Sequence, residues 1–260
     1  MKILDEIAEA ARVRVEKKKS ELPLPEVVER AEELGEETGF PFEEALRGRD
    51  ISFICEVKRA SPSRGVIAEH FPYLEIAKEY EAAGAAAVSC LTEPEYFQGS
   101  DQYLREIARE VRIPVLRKDF TVDAYQIYEA KVLGADAVLL ICSLLNDEEL
   151  AGFCKLADSL GLSALVEAHD EREIQRAVKA GARVIGVNNR NLKDFTMNVE
   201  NSLALRKHVP EEMIFVAESG IRTGEDVEKL RAGRVQAVLI GEALMRSPDK
   251  KKTLETLRGY

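Results

Sequence analysis

The fold class this sequence predicts is α/β, a (β/α)8 TIM barrel with an N-terminal helical extension. Three observations predict it. Eight short apolar runs recur along the chain, segments of helical periodicity separate them, and several of those segments end in a glycine just before the next run. Eight βα units of about 25 residues each favour a closed barrel over a doubly wound open sheet, which usually has fewer strands.

Residues 1–48 precede the first run. They are charged and helical in pattern, are punctuated by the LPLPEV break and the GFPF turn, and are expected to cap one end of the barrel. The runs follow in order: ISFICEV (51–57), AAVSCL (86–91), PVLRKD (114–119), AVLLI (137–141), SALVEA (163–168), VIGVNN (184–189), MIFVAES (213–219) and AVLIGE (237–242). Most are apolar at nearly every position, as parallel strands covered on both faces require. Helical spacing between them is clearest at Leu150, Phe153, Leu156, Ala157 and Leu160, with start signals at Asn146/Glu149, Asp170/Glu173 and Thr223/Asp226. Gly84, Gly134, Gly181 and Gly233 stand where helices end, and left-handed geometry is expected at each. A chain of 260 residues suits one such domain, with the extension over 1–48 and the barrel over 49–260.

Composition narrows the partners. Apolar residues make up 45% and charged residues 32%, enough to fill a large core and cover it with a solvated shell. The net charge of −10, with basic residues spread along the chain, argues against nucleic acid. The opening MKILDEIAEAARVRVEKKK lacks the unbroken apolar core of a secretory signal, and no stretch approaches the roughly 18 apolar residues of a membrane span. A cytoplasmic protein without a membrane partner is expected. Cys55, Cys90, Cys142 and Cys154 show no CxxC spacing and read as reduced packing residues, so neither zinc nor a disulfide framework is expected.

Barrel chemistry is found where strands end and βα loops begin. Those ends are polar here: Glu56 and Lys58 at the first, Lys118 at the third, Glu167 at the fifth, Asn188 and Arg190 at the sixth, Glu218 at the seventh. Residues two apart on a strand share a face, which pairs Glu56 with Lys58 and Asn188 with Arg190. A self-satisfied salt-bridge network is the alternative, since charge inside a barrel is costly unless paired. His169, alone after the fifth run, reads as structural.

Two glycine-containing loops suit a phosphate. Ala217-Glu218-Ser219-Gly220-Ile221 follows the seventh run, and Ile240-Gly241-Glu242-Ala243-Leu244 follows the eighth and can open a short helix. Backbone N–H groups in these loops face anions in this architecture. Ser61-Pro62-Ser63-Arg64-Gly65 adds hydroxyls and a cation from the first loop.

These residues closely resemble the indole-3-glycerol-phosphate synthase family of tryptophan biosynthesis. The resemblance runs through EVKRASPSRG (56–65), LTEPEYFQGS (91–100), PVLRKDF (114–120), ALVEAH (164–169), IGVNNRNL (185–192), VAESGI (216–221) and LIGEALM (239–245). It implies a lyase that closes the indole ring of 1-(2-carboxyphenylamino)-1-deoxyribulose 5-phosphate, releasing carbon dioxide and water, with no metal or organic cofactor. It makes Lys118 the general acid, Glu167 the group that exchanges a proton during dehydration, and Lys58 a cation facing the substrate carboxylate or carbonyl. Glu56, Asn188 and Glu218 become supporting groups, and Arg190 part of the substrate-contacting mouth. Ser61, Ser219, Gly220, Gly241 and the backbone of Glu242 become the phosphate site, and Phe97 and Phe120 an apolar wall for the aryl ring. Some relatives carry Ser in place of Glu242, so its N–H is expected to bind while its carboxylate faces away. The implied partner is a phosphorylated small molecule, with other tryptophan-pathway enzymes as associates.

Other readings of the same residues are a Schiff-base aldolase using Lys58 or Lys118, a metal-dependent barrel using Glu56, Glu167 and Glu218, and a catalytically silent phosphate-ligand-binding subunit.

Overall fold

Strands that are apolar on both faces need cover on both. The computed structural model, which describes residues 2–190 and 196–259, provides it with a closed parallel barrel. The barrel strands are β1 (Ser52–Val57), β4 (Ala87–Leu91), β5 (Val115–Lys118), β6 (Ala137–Ile141), β7 (Ser163–Ala168), β8 (Val184–Asn188), β9 (Ile214–Glu218) and β10 (Ala237–Ile240). They neighbour one another in that order, and β10 closes on β1. A small antiparallel hairpin, β2 (Ala60–Ser61) with β3 (Gly65–Val66), is inserted after β1. Each apolar run of the sequence contains its strand; the eighth divides between β10 and the short helix α11 (Glu242–Arg246).

The outer layer is α4 (Tyr73–Ala82), α5 (Asp101–Glu110), α6 (Ala124–Leu133), α7 (Asp147–Ser159), α8 (Glu171–Lys179), α9 (Glu200–Arg206), α10 (Gly224–Ala232) and α12 (Lys250–Arg258). Full capping boxes form at Asn146/Glu149 and Thr223/Asp226. At Asp170 only half a box forms: its side chain accepts the Glu173 N–H, while the Glu173 carboxylate turns to the N–H and ring of His169. Gly84, Gly134 and Gly181 are left-handed as expected, at φ +79°, +89° and +85°. Gly233 is not: its φ is −78°, and Arg234 takes the left-handed position at +58°. A Cβ at Gly233 would run into the Leu203 side chain, so this glycine serves close packing instead of handedness.

Two apolar layers result. One lies between strands and helices. The other fills the barrel with Ile54, Ala87, Leu116, Leu139, Leu165, Val184, Ile214, Val216 and Leu239. Period-two alternation gives each strand an inward ladder. Several ladders begin apolar and end charged at the mouth: Ile54 then Glu56, Leu116 then Lys118, Leu165 then Glu167, Val216 then Glu218.

The extension forms α1 (Lys2–Glu21), α2 (Leu24–Glu32) and α3 (Pro41–Leu46), and it serves both ends of the barrel, not one. Phe42 and Leu46 of α3 join the barrel-interior core at its N-terminal end. There Glu43, buried, accepts hydrogen bonds from Ser163 Oγ at 3.1 Å and from Arg183 Nε and Nη2 at 2.9 Å each. At the opposite end Ile3, Leu4 and Ile7 of α1 form part of the cavity wall. Farther along α1, Arg14 pairs with Asp119 at 2.7 Å, Lys18 with Glu129 at 2.7 Å and Lys19 with Asp123 at 2.7 Å.

The four cysteines are free and buried. Burial pushes their thiols up, Cys154 to about 11 and Cys142 to about 12, which leaves them unreactive at neutral pH. No helix among the described residues is long and apolar enough to cross a membrane.

Candidate active site

A cavity of about 640 Å³ opens at the C-terminal ends of the strands. Every site residue named from the sequence lines it: Glu56, Lys58, Ser61, Phe97, Lys118, Phe120, Glu167, Asn188, Arg190, Glu218, Ser219, Gly220, Gly241 and Glu242. Register explains the convergence. Glu167 is level with Gly186 and Glu218 with Asn188, so the glycine on β8 stands between two strands that both end in an inward carboxylate.

Lys118 is the centre of charge. Its Nζ is 3.5 Å from Glu167 Oε2 and 3.9 Å from Glu218 Oε2. Burial disfavours the ammonium, but Glu167, Glu218 and Glu56 together outweigh it and hold the lysine above its ordinary pKa. For Glu167 burial opposes ionisation, yet Lys118, His169 and the Asn188 amide, 3.2 Å from Oε1, hold it below the usual value. Glu218 goes the other way. Burial and then repulsion from Glu167 push it up to about 8 against the pull of Lys118. Its Oε1 has no hydrogen-bond partner among the described residues. Two carboxylates of one mouth are thus driven apart in acidity, the pattern that separates an acid from a base.

Glu56 forms an ion pair with Lys58. Gly241 lies against that pair: a Cβ there would collide with the Glu56 carboxylate and sit 3.0 Å from Lys58 Nζ. Its absent side chain therefore serves the charged pair at β1. Gly186 does the same for Glu218, whose Oε1 occupies the space a Cβ would need. The sequence offered a signal for Gly186, a lone glycine inside a strand, which marks close approach.

Three loops build the opposite side of the cavity. Ser219 and Gly220 are left-handed at φ +66° and +82°, and Asn189 Nδ2 fixes the turn by donating to the Ser219 carbonyl at 3.1 Å. Arg190 donates to Ser63 Oγ at 3.0 Å, which ties the sixth loop to the hairpin after β1. The Glu242 carboxylate is held by Arg64 at 3.2 Å and Arg246 at 3.3 Å. Arg222 and Arg246 also line the cavity and were not singled out from sequence, although Arg222 directly follows the ESGI tract and Arg246 is one helical turn beyond Glu242. Asn191 and Leu192, the end of the IGVNNRNL motif, lie outside the described residues.

Phe97 and Phe120 face each other with ring centroids 6.0 Å apart, beside Ile3, Leu4 and Ile7. Glu93, fully buried, orders the loop that carries Phe97 by accepting the backbone N–H groups of Glu95, Tyr96 and Phe97 at 3.0, 2.7 and 2.9 Å. A charged residue beside a Thr-Glu-Pro turn could have signalled this. The sequence signals a helical cap over residues 1–48 but not that Ile3, Leu4 and Ile7 of it reach this cavity wall. Among the described residues no three His, Cys, Asp or Glu side chains are grouped to hold a metal ion.

A closed (β/α)8 barrel with a lysine between buried carboxylates, next to glycine-containing loops and arginines, defines an enzyme of proton-transfer chemistry on an anionic small molecule. Comparison with known proteins gives the family. The family model described as indole-3-glycerol phosphate synthase matches residues 4–257, and the chain belongs to that family. A protein of that name from Ruminiclostridium cellulolyticum is 56% identical over 257 residues, 99% of each chain. One from Lachnoclostridium phytofermentans is 51% identical over 98% of each. Among solved structures, 3-hexulose-6-phosphate synthase aligns with a TM-score of 0.65 at 14% identity, covering 80% of this chain and 99% of that one. Phosphoribosylanthranilate isomerase from Thermotoga maritima aligns at 0.58 and 18%, covering 81% and 100%. At such identities these two speak for the barrel alone.

Proposed function

We propose that this protein closes the indole ring of 1-(2-carboxyphenylamino)-1-deoxyribulose 5-phosphate with loss of carbon dioxide and water, a carboxy-lyase step of tryptophan biosynthesis. The observation that carries the reading is Lys118 poised between Glu167 and Glu218. Ring closure needs an acid for the ketone oxygen as the aromatic carbon attacks it. Lys118, kept charged by its carboxylate neighbours, is that acid. Glu167, ionised at neutral pH, exchanges the protons of the dehydration. Glu218, largely neutral at pH 7, donates a hydrogen bond to substrate oxygen. Lys58, paired with Glu56, faces the substrate carboxylate or carbonyl, while Asn188 orients Glu167 and the backbone of Arg190.

Ser61, Ser219, Gly220, Gly241 and the Glu242 N–H take the phosphate, with Arg64, Arg190, Arg222 and Arg246 supplying positive potential around it. Phe97 and Phe120 wall the aryl ring. Holding the phosphate at one side and the ring at the other keeps the reacting carbons together, a contribution on the order of several kcal/mol. A lysine held above its ordinary pKa is a poor Schiff-base nucleophile, which weighs against the aldolase reading.

We also take the chain as one domain, because α1 completes the cavity wall and α3 plugs the barrel. Its buried free thiols suit the reducing cytoplasm, where other enzymes of the tryptophan pathway would be its neighbours. The test is to mix chelator-treated protein with the substrate and follow indole fluorescence. A rise at catalytic protein concentration is expected, and silence from folded protein overturns the reading.

A further inference from the structure

Asn189 follows β8 and takes no part in the cavity wall, although its neighbours Asn188 and Arg190 do. It is buried, and each of its polar atoms is engaged. The backbone N–H donates to the Glu218 carbonyl at 2.8 Å, and the backbone carbonyl accepts the Asn198 N–H at 3.1 Å. In the side chain, Oδ1 accepts the N–H of Ser202 on α9 at 3.0 Å and the Ser202 hydroxyl at 2.8 Å, while Nδ2 donates to the Ser219 carbonyl at 3.1 Å. A backbone N–H can only donate and a carbonyl can only accept, so these partners fix which way the amide faces.

The consequence falls on the end of β9. In an extended strand successive carbonyls point to opposite edges. Here the carbonyls of Glu218 and Ser219 both turn to Asn189, because the chain bends at Ser219, which is left-handed at φ +66°. That conformation is unfavourable for a serine and persists where its surroundings impose it. Asn189 is the group that imposes it. The N–H of a trans peptide lies opposite its C=O, so a Ser219 carbonyl drawn to Asn189 sends the Gly220 N–H the other way. Ser219 and Gly220 line the cavity and Asn189 does not, which makes that direction the cavity. No described residue accepts this N–H.

We propose that Asn189 is the positioning residue for the substrate phosphate: by drawing the Ser219 carbonyl outward it aims the Gly220 N–H at the anion, and it sets affinity without touching the ligand. The inference rests on the reading of the cavity given above. A merely structural role, tying α9 to β8, is the competing account, since a buried amide with satisfied hydrogen bonds supports stability wherever it lies. The two roles move different quantities.

The experiment compares wild type, Asn189→Ala and Ser202→Ala in steady-state turnover and in inhibition by inorganic phosphate. Ser202→Ala loses one hydrogen bond to Oδ1 but keeps the Nδ2 donor at Ser219. Expected for Asn189→Ala is a KM about 5- to 30-fold higher, a phosphate Ki raised in the same proportion, and kcat within about threefold of wild type. For Ser202→Ala both KM and Ki stay within about twofold. Unchanged KM and Ki in Asn189→Ala, a loss confined to kcat, or an equal rise in both variants overturns the proposal.

If Asn189→Ala does not fold, wild-type protein titrated with inorganic phosphate decides. A downfield shift of the Gly220 amide proton in NMR supports the aimed donor, and an unmoved resonance overturns it. That titration needs no turnover. An inactive wild type whose Gly220 amide answers to phosphate removes the proposed reaction and leaves Asn189 its role; an active wild type with an unmoved amide removes that role alone.

Discussion

The two ends of the barrel are built by the same eight strands and closed by the same N-terminal extension, yet they treat buried charge in opposite ways. At the N-terminal end Glu43 is saturated by Arg183 and Ser163, and Phe42 and Leu46 seal the interior. At the C-terminal end Glu56, Glu167 and Glu218 are as deeply buried, but Glu218 Oε1 and His169 Nε2 have no hydrogen-bond partner among the described residues, and the three carboxylates line a cavity that α1 also walls. A satisfied buried charge fixes a fold, whereas an incompletely satisfied one awaits a ligand or a proton. On that difference we propose a structural role for the polar residues of the base and a functional one for those of the mouth.

The contrast breaks if the mouth proves structural or the base proves functional. The largest effect is expected of Lys118→Ala, which should cost about 10²- to 10⁴-fold in kcat while substrate still binds. Indole fluorescence for turnover and calorimetry for binding check it, and unchanged turnover would remove Lys118 as the acid. Phe42→Ala should do the reverse, losing about 3–5 kcal/mol of stability in denaturant melts while kcat per folded molecule stays near wild type.

Next comes pH. Glu218 is raised to about 8 in the folded protein and returns to an ordinary carboxylate value on unfolding. Stability from this group is therefore full below the unfolded pKa and is lost as pH rises through about 8. Glu218→Gln should remove that slope, so its advantage over wild type grows from pH 5 to 9, on the order of 1 kcal/mol or more in urea melts. Parallel stability curves would show that the carboxyl is ionised throughout.

The smallest effect is expected at Glu242, clamped by two partly exposed arginines. Glu242→Ser frees Arg64 and Arg246 for the substrate phosphate. KM should fall about two- to fivefold and become more sensitive to salt, within the roughly 1 kcal/mol that such pairs are worth. A rise in KM would mean that the clamp organises the site.

Much of this was legible in the sequence because it is local or periodic. Runs buried on both faces, capping boxes at Asn146 and Thr223, and polar residues at strand ends follow from alternation and turn chemistry, which neighbouring residues dictate. Gly233 was misread because its role is set by Leu203, thirty positions away, and not by its own helix end.

By itself the sequence determined the barrel, the identity of the residues at its mouth and the three loops for which we propose the phosphate. Only the tertiary structure decided which carboxylate is ionised. Glu167 and Glu218 are the same residue type and both are buried, and their acidities diverge because Lys118, His169 and the Asn188 amide outweigh burial at Glu167, while burial and repulsion from Glu167 prevail at Glu218. It also decided that α1 and α3 close opposite ends, since which surface an amphipathic helix covers depends on the shape of what it meets. Distance in space, not order along the chain, sets electrostatic and packing energies.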